Sequence, residues 1–410
     1  MAYVPGTLVK GRQLSNGLPA NLAQLSFAKA YTRLVPGGSA KLTAILSMLN
    51  SGTALQPEHF YYTRSMVFPS VTIDRLLGYT ATDTAFAVDS TATVLAGTVL
   101  QNFRTQEQIL VTSVDSATQI TVVRGYGTTA AAAILDDDFM PGVGTAYEEA
   151  SSRPTAAAIQ PSRVFNYTQI FRNSWALSDT LRAIETIAGN GNVAESRLDC
   201  MEFHMRDMES SLLFGELYQG TYNSRPIRKM DGIVNSIKRY APGNVSTAGG
   251  TTNYTQLEAM LDPIFDTQSD PKVGPSRMLF VGGQALKTIT AIGRLNSQYE
   301  IVEGSDTGSF GLQFSKFRIA RGEFMLMEHP LLNSNAEWKK MAIATDLSSM
   351  KLAFMSGRNT KKEEFGINGQ YVEDGIDAVG GSLTTEATLE FTNPSANAVI
   401  YNLTAGAKDA

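Results

Sequence analysis

The stretch Arg-Val-Phe-Asn-Tyr-Thr-Gln-Ile-Phe-Arg at residues 163–172 is rich in the aromatic and β-branched residues that favour strands. A second strand-like stretch, Phe-Tyr-Tyr-Thr-Arg-Ser-Met-Val-Phe, occupies residues 60–68. If the two pair, they form the stalk of a long hairpin that carries the intervening residues at its far end. A dozen residues at about 3.3 Å each would reach roughly 40 Å. A two-stranded ribbon of that length is marginal alone in water, so it needs another surface to lie on.

A module rich in Thr and Val lies between these two stretches, from about Ala81 to Asp138. Its strand-forming residues predict strands at residues 85–89, 108–114 and 119–129. No lysine occurs between residues 42 and 228, a range that contains the whole module. A small β module on two long arms is hard to explain in an enzyme. It is easier to explain in a protein that binds neighbouring copies or other proteins.

The N-terminal part of the chain predicts an arm followed by short helices. Pro and Gly residues prevent regular structure over residues 1–20. One helix is predicted over residues 21–34, and a second begins at an N-cap near Ser39. The second places Leu42, Ile45, Leu46 and Leu49 at helical spacing.

The clearest helix of the chain is predicted from about Ala194 to Gln219. Its apolar residues follow a 3-4-3-4 spacing, which gives one apolar stripe. The stripe consists of Leu198, Met201, Met205, Met208 and Leu212. His204 lies off this stripe and is therefore expected to be solvated or at an interface.

A mixed α/β pattern begins near Arg228. Asn253 and Gln256 predict a capping box at the start of a helix. Strands are predicted at residues 277–281, 341–344 and 351–355, a helix at 284–292, and a hairpin from 316–320 and 324–328. Further strands are predicted near the C-terminus, at residues 383–391 and 398–403.

Composition excludes several classes of protein. The 410 residues are 43% hydrophobic, enough for a real core, and the net charge of −5 argues against wrapping nucleic acid. The single cysteine, Cys200, cannot form an intrachain disulfide, which fits a reducing compartment. The sequence shows neither a secretory signal nor an apolar run long enough to span a membrane.

The search for catalytic or metal-binding residues finds no convergent group. Only three histidines occur, and none lies at the spacing of a zinc pair. The run Asp136-Asp137-Asp138 lacks the ligand spacing of a calcium loop. Gly282-Gly283-Gln284 directly follows a predicted strand and is best explained as a strand-to-helix turn. We therefore expect no enzyme activity, no cofactor and no metal.

The order of these parts resembles the major capsid protein of tailed bacteriophages, which has the Hong Kong-97-type fold. Four stretches resemble the branch of that family that carries a β module in its extended loop, and residues 166–180 are the most specific of them. The stretches are residues 108–114, 121–129, 166–180 and 388–400. The resemblance implies an α+β capsid fold with an N-terminal arm, a long β-hairpin extended loop, a spine helix and a mixed α/β axial domain.

The resemblance also implies a division of the chain. It assigns residues 1–57 to the N-terminal arm with short helices and residues 58–172 to the extended loop, with its module at 81–138. It assigns residues 173–228 to the peripheral domain, with the spine helix at 194–219. The axial domain then covers residues 229–355, and residues 356–410 return to the strands of the peripheral domain.

The function implied is self-assembly into hexamers and pentamers of an icosahedral virion shell around double-stranded DNA, which the shell contacts non-specifically. Expected partners are other copies of the chain, a separate scaffold protein, a portal, and decoration or cement proteins, with assembly in the host cytoplasm and no membrane. No large charged helical segment precedes the arm, which argues against a fused scaffold. Removal of N-terminal residues in mature particles would argue for one.

The sequence departs from the family in one respect that concerns cross-linking. Some members join subunits by an isopeptide bond between a loop lysine and an asparagine, but this loop has no lysine to supply the amine. We therefore expect a non-covalent shell, held by the loop, by the arm and by ion pairs. The interface candidates are Arg75, Arg104 and Arg124, because arginine binds carboxylates bidentately, together with Phe103.

Two other functions stay open at this point. A surface-layer or other array protein would be favoured by a secretion signal, and none is present. A hydrolase or binding protein with a decorated β insertion would need a convergent polar group, and the sequence shows none.

Overall fold

The computed structural model describes residues 41–49, 51–64, 66–154, 156–183, 193–266, 276–295, 315–366 and 377–409. The predicted arm, the predicted helix at 21–34 and the predicted cap at Ser39 lie outside them. The chain divides into two compact units: residues 62–164 form one, and residues 1–61 and 165–410 form the other.

Both units are built from short strands, and the larger one also contains helices. The helices are α1 (Lys41–Leu49), α2 (Asp179–Ala183), α3 (Val193–Phe214), α4 (Ile233–Tyr240), α5 (Tyr254–Leu261) and α6 (Gly283–Leu295). The strands up to the end of the smaller unit are β1 (Ser51–Ala54), β2 (Glu58–Thr63), β3 (Ser70–Thr72), β4 (Ala85–Ala87), β5 (Thr98–Gln101), β6 (Gln108–Ser116), β7 (Gln119–Val123), β8 (Phe139–Thr145) and β9 (Ser162–Tyr167).

The later strands all belong to the larger unit. They are β10 (Gln169–Ser178), β11 (Tyr218–Tyr222), β12 (Arg225–Lys229), β13 (Val245–Thr252), β14 (Ser276–Val281), β15 (Ser315–Ile319), β16 (Gly322–Glu328), β17 (Ala342–Thr345), β18 (Met350–Met355), β19 (Lys361–Phe365), β20 (Ala378–Phe391) and β21 (Ala398–Gly406). The α+β class predicted from the sequence is confirmed.

The long strand β20 organises the first sheet of the larger unit. The sheet has the order β1-β18-β20-β10, and β19 also pairs with β20. All ten residues of β10 pair with β20 in antiparallel register, from Gln169↔Ala387 to Ser178↔Ala378. The stretch 166–180, which resembles the capsid family, therefore pairs with residues 378–387, directly before the second such stretch at 388–400.

The predicted hairpin stalk was too long. Strand β2 pairs with β9, but the following residues, β10, pair with β20 instead. The change occurs at Thr168, whose backbone N–H donates to Pro57 (2.8 Å) and whose hydroxyl donates to the buried Glu386 (2.7 Å). The two-stranded part therefore spans about six residues, or roughly 20 Å.

The second sheet of the larger unit has the order β13-β21-β17-β14-β16-β15. The predicted capping box is present, because Asn253 and Gln256 cap each other's backbone at the start of α5. The predicted strand-to-helix turn is also confirmed, since β14 ends at Val281 and α6 begins at Gly283. A buried apolar cluster between this sheet and helices α5 and α6 forms its core.

Two strands pair with partners from outside their own predicted ranges. Strand β18 falls within the predicted axial range 229–355 but pairs with β20 and β1 of the first sheet. Strand β21 falls within the predicted C-terminal return 356–410 but pairs with β13 and β17 of the second. Pairing partners distant in sequence decide both placements, and the local strand pattern carries no information about them.

The spine helix differs from its prediction in length and in its buried face. Helix α3 ends at Phe214 instead of Gln219, because residues 218–222 enter a strand. In its N-terminal half the buried side chains are Cys200 and His204, while Leu198 and Met201 of the predicted stripe are about half exposed. His204 is thus buried, contrary to expectation.

His204 is accommodated in the core because each ring nitrogen has a polar partner. Asp207 accepts from the Asn173 amide (2.9 Å), which turns the Asn173 oxygen towards Nδ1 of His204 (2.8 Å). Nδ1–H therefore donates to Asn173, and Nε2 accepts from the Thr385 hydroxyl (2.7 Å). Burial lowers the pKa of His204 and keeps the ring neutral.

A buried carboxylate, Glu209 on α3, joins three parts of the larger unit. It accepts from the backbone N–H of Leu42 (2.6 Å) and Thr43 (2.7 Å) at the start of α1. It also pairs with Nε2 of the buried His329, just after β16 (2.7 Å). Nδ1 of His329 accepts from the N–H of Leu331, so the proton on Nε2 is donated to Glu209.

We predict that Glu209→Gln lowers the free energy of unfolding by about 2–3 kcal/mol, because an amide places donors opposite buried donors that lose their acceptor. The control is Glu337→Gln, whose side chain is 74% exposed and should change stability by less than about 0.5 kcal/mol. Denaturant unfolding measures both. Equal stability of the two variants would contradict the assigned role of Glu209.

Candidate functional site

The smaller unit is a six-stranded sheet with its own apolar core. Its strand order is β3-β8-β5-β6-β7-β4, so the module is larger than the predicted range 81–138. The core is continuous and includes Ile73, Phe86, Leu100, Ile109 and Met140, all of which are fully buried. Strands β3 and β8, which flank the predicted range, were missed because β3 is short and β8 contains Pro141 and Gly142.

A buried ion pair fixes the loop that follows β7. Glu107 and Arg124 form two parallel hydrogen bonds of 2.8 Å each. Glu107 also accepts from the N–H of Gly125 (2.9 Å) and of Ala132 (3.1 Å), and Arg124 donates to the carbonyl of Thr80 (2.7 Å). The pair therefore holds both ends of the loop 125–132 against the sheet.

The balance of forces on Glu107 favours its charged form. Burial by itself would raise the pKa of this carboxyl, but the hydrogen bonds from Arg124, Gly125 and Ala132 outweigh that effect. The pKa of Glu107 is therefore lowered from its ordinary value of 4.5.

A turn at one end of the module exposes two adjacent leucines. Leu76 and Leu77 are 90% and 89% exposed, in a turn closed by the N–H of Gly78 donating to the carbonyl of Arg75 (2.7 Å). Gly78 has a φ of +62°, and a Cβ there would lie 2.2 Å from the carbonyl oxygen of Ile134. Glycine is therefore required, and the turn packs tightly against the backbone at Ile134.

Hydrogen bonds join this turn to two neighbouring loops. Asp136 accepts from the N–H of Arg75 (2.8 Å). Asp138 binds the guanidinium of Arg104 (2.8 Å) and the amide of Asn102 (2.9 Å). Phe103, between those two residues, is 64% exposed. We call this end of the module the tip surface, which comprises Arg75, Leu76, Leu77, Phe103, Arg104 and Leu135.

Three of the four interface candidates predicted from the sequence lie on the tip surface. They are Arg75, Phe103 and Arg104, whose loops share the bonds to Asp136 and Asp138. Arg124 does not contribute to this surface: its side chain is only 5% exposed and is occupied by Glu107. Its guanidinium stabilises the module itself.

Sequence reasoning missed Leu76 and Leu77. The signal was available, because two consecutive leucines between an arginine and a glycine do not fit a half-buried strand. Exposed apolar residues in a turn indicate a contact with another molecule when they are clustered.

Neither a metal-binding cluster nor a membrane-spanning helix is present among the described residues. No three His, Cys, Asp or Glu side chains among them are placed to hold a metal ion. None of the helices there is long and apolar enough to cross a membrane.

Comparison with known proteins identifies the family. A family model described as the SU10 major capsid protein matches residues 28–404. The chain belongs to the SU10 major capsid protein family. This SU10-type chain is similar in sequence to a curated protein, the major capsid protein of Pseudomonas phage PaMx41. It is 36% identical over 396 residues, which cover 94% of this chain and 94% of the relative.

Two of the solved structures similar to this SU10 family member come from a GTA particle and from a phage. The capsid of a native GTA particle has a TM-score of 0.48 at 9% identity, covering 95% of this chain and 98% of that one. A structure from Mycobacterium phage Cain has a TM-score of 0.46 at 11% identity, covering 97% and 100%. Membership in the SU10 family rests on the family model and on the curated relative.

We predict that Arg124→Met destabilises the module by about 3 kcal/mol or more, because it leaves the buried Glu107 without its cation. The matched control is Arg153→Met, an arginine of the same unit that is exposed. Hydrogen exchange of the peptides containing residues 105–133 measures the effect. Unchanged exchange in Arg124→Met would show that the pair does not hold the loop.

Acid should weaken the same contact. Because folding lowers the pKa of Glu107, its contribution is complete above pH 4.5 and is lost as the pH falls through the lowered value. Protection of residues 105–133 should therefore decrease below pH 4.5 relative to pH 7, after correction for intrinsic exchange. Protection that stays constant down to pH 2 would contradict this assignment.

Proposed function

We propose that this capsid-family chain is the subunit of an icosahedral virion shell that assembles from hexamers and pentamers and encloses double-stranded DNA. The observation that carries the proposal is the match of the family model to residues 28–404, supported by the PaMx41 relative.

The two sheets of the larger unit support its division into two domains. We assign the peripheral domain to the first sheet together with α3, the spine helix. We assign the axial domain to the second sheet with α5 and α6, and we expect it to gather around the five-fold and six-fold axes. The extended loop then comprises β2, β9 and the module between them.

The tip surface supports a contact between the extended loop and an adjacent subunit. Leu76 and Leu77 would each contribute about 2 kcal/mol on burial. Exposed apolar residues on the spine helix, Leu198, Met201 and Phe203, offer apolar surface on a second copy. The loop contact would bury surface that a monomer leaves in water.

The joint between subunits is non-covalent in this proposal. The extended loop lies within residues 42–228, which contain no lysine, so it cannot supply the amine of an isopeptide bond. Apolar contacts of the tip surface and an ion pair of Arg75 would replace it, while Arg104 already binds Asp138 of its own chain.

The remaining partners follow from the proposed role. A shell that encloses DNA needs a portal for its entry, and we expect a separate scaffold protein and decoration or cement proteins. Contact with the DNA would be non-specific, and assembly would take place in the host cytoplasm before the protein becomes part of the virion.

Electron microscopy of the chain, expressed with the other proteins of its virion, tests the proposed function. We expect closed shells or rings of five and six subunits. A protein that remains monomeric under all these conditions would refute the assignment.

We predict that Leu76→Ser combined with Leu77→Ser lowers the yield of shells at least tenfold, since the loss of about 4 kcal/mol at each contact weakens it by roughly a thousandfold. Both side chains are exposed, so the fold should be unaffected. The control is Val114→Ser, a 40% exposed residue of the same module outside the tip surface. Equal shell yields, measured by sedimentation, would exclude the tip surface as a contact.

We further predict that boiling mature particles in detergent releases the chain as a single band near its mass of 44.3 kDa. A ladder of covalent oligomers joined through residues 58–172 would contradict the non-covalent joint.

A further inference from the structure

A hairpin of the larger unit is exposed on both faces. Strands β11 and β12 form a two-stranded hairpin, and no further strand among the described residues is hydrogen-bonded to it. Of its ten strand residues only Gly220 and Arg228 are partly buried, and the others are exposed. An isolated two-stranded hairpin is marginal in water, so this one calls for a partner surface.

The root of this hairpin is rigid. The N–H of Gly232 donates to the carbonyl of Gly215 (2.9 Å), which closes the hairpin at the end of α3. A Cβ on Gly215 would lie 2.5 Å from the carbonyl oxygen of Ser211, and a Cβ on Gly232 would lie 2.6 Å from the nitrogen of Gly215. Because only glycine permits this close approach, the hairpin leaves the body of the unit in a fixed direction.

The far end of the hairpin is a tight turn. Asn223 and Ser224 have φ values of +50° and +59°, which is the geometry of a type I′ turn. The cross-strand pairs place tyrosines opposite cations: Tyr218 lies opposite Lys229, and Tyr222 lies opposite Arg225. Tyr218 and Tyr222 are 51% and 68% exposed.

The charge of the hairpin is opposite to that of the rest of the chain. Residues 218–229 contain Arg225, Arg228 and Lys229 and no acidic residue. The chain carries a net charge of −5, so the residues outside the hairpin carry −8. None of the three cations has a carboxylate within 4 Å among the residues that the structure describes, and Nε of Arg228 is buried without a hydrogen-bond partner.

We propose that the β11–β12 hairpin docks on an acidic surface of a second copy of this chain. Exposed tyrosines and arginines around a small apolar surface, here Pro226 and Ile227, are the composition of protein–protein contacts. The excess negative charge outside the hairpin supplies the complementary partner. The hairpin is thus an inter-subunit contact distinct from the tip surface, and the inference rests on the proposed shell function.

The charge alone would also fit the phosphates of nucleic acid. The apolar side chains favour the protein partner, because phosphate binding makes no use of Pro226 and Ile227 and leaves them exposed. The hairpin's rigid root also suits a single docking geometry more than a non-specific contact.

Zero-length cross-linking tests the docking on unmodified particles. Lys229 is the first lysine after Lys41 and the only one in the hairpin, so a carbodiimide bond from it to a carboxylate can be located by mass spectrometry. In shells assembled from equal amounts of ¹⁴N and ¹⁵N subunits, we expect mixed-label cross-links from Lys229 to Asp or Glu. Shells without any mixed-label cross-link from Lys229 would overturn the proposal while leaving the shell function intact.

Charge reversal provides an independent test. Arg225→Glu combined with Lys229→Glu should lower the yield of shells at least tenfold. The conservative control, Arg225→Lys combined with Lys229→Arg, keeps the charge and should assemble like the wild type. Ser224→Gly, which keeps the turn and the charge, should do so as well.

Two results of the reversal experiment would overturn the docking. One is a normal yield of shells with normal DNA content. The other is a normal yield of shells with reduced DNA content, which would assign the hairpin to nucleic acid. If the reversed variant fails to fold, as judged by circular dichroism, the cross-linking result on the wild type decides.

Discussion

The carboxylate of Glu209 is the point on which the larger unit depends. It is fully buried, and its two oxygens hold the start of α1, the spine helix α3 and His329 at the end of β16. These three segments are far apart in sequence, and each belongs to a different part of the fold. A buried carboxylate is costly unless it is fully hydrogen-bonded, so the three segments are stable only when they are placed together.

Strand β20 extends this arrangement through the first sheet. It pairs with β10 along the whole length of that strand and also with β18 and β19. Thr168 marks the point at which the chain leaves the ribbon of β2 and β9 for this sheet, through its bond to Glu386. The extended loop therefore has its C-terminal root in the most extensively paired strand of the unit.

Local patterns in the sequence predicted the local elements well. The capping box of Asn253 and Gln256, the buried strand β14 and the hairpin of β15 and β16 depend on neighbouring residues, and all three are present. Predictions that depended on distant partners were less successful. The predicted stalk was too long because nothing near residues 169–172 indicates that they pair with β20, which comes about two hundred residues later.

The prediction of which face of the spine helix is buried was wrong for the same reason. His204 is polar by composition and was expected to be solvated, but Asn173 and Thr385 from two strands satisfy both of its ring nitrogens. For the candidate site, the arginines and Phe103 could be identified by residue type. That three of them share one surface with Leu76 and Leu77, while Arg124 is used internally, depends on the pairing of the module.

In the proposed shell, the buried side chains of Glu107, His204 and Glu209 are hydrogen-bonded within the subunit, and its contacts with other copies lie on exposed projections. There the extended loop would offer the tip surface in place of a covalent bond. A cryo-EM reconstruction of the assembled particle tests this most directly. We predict an icosahedral shell in which Leu76 and Leu77 of one subunit are buried against an adjacent copy. A shell in which both leucines face solvent would contradict it.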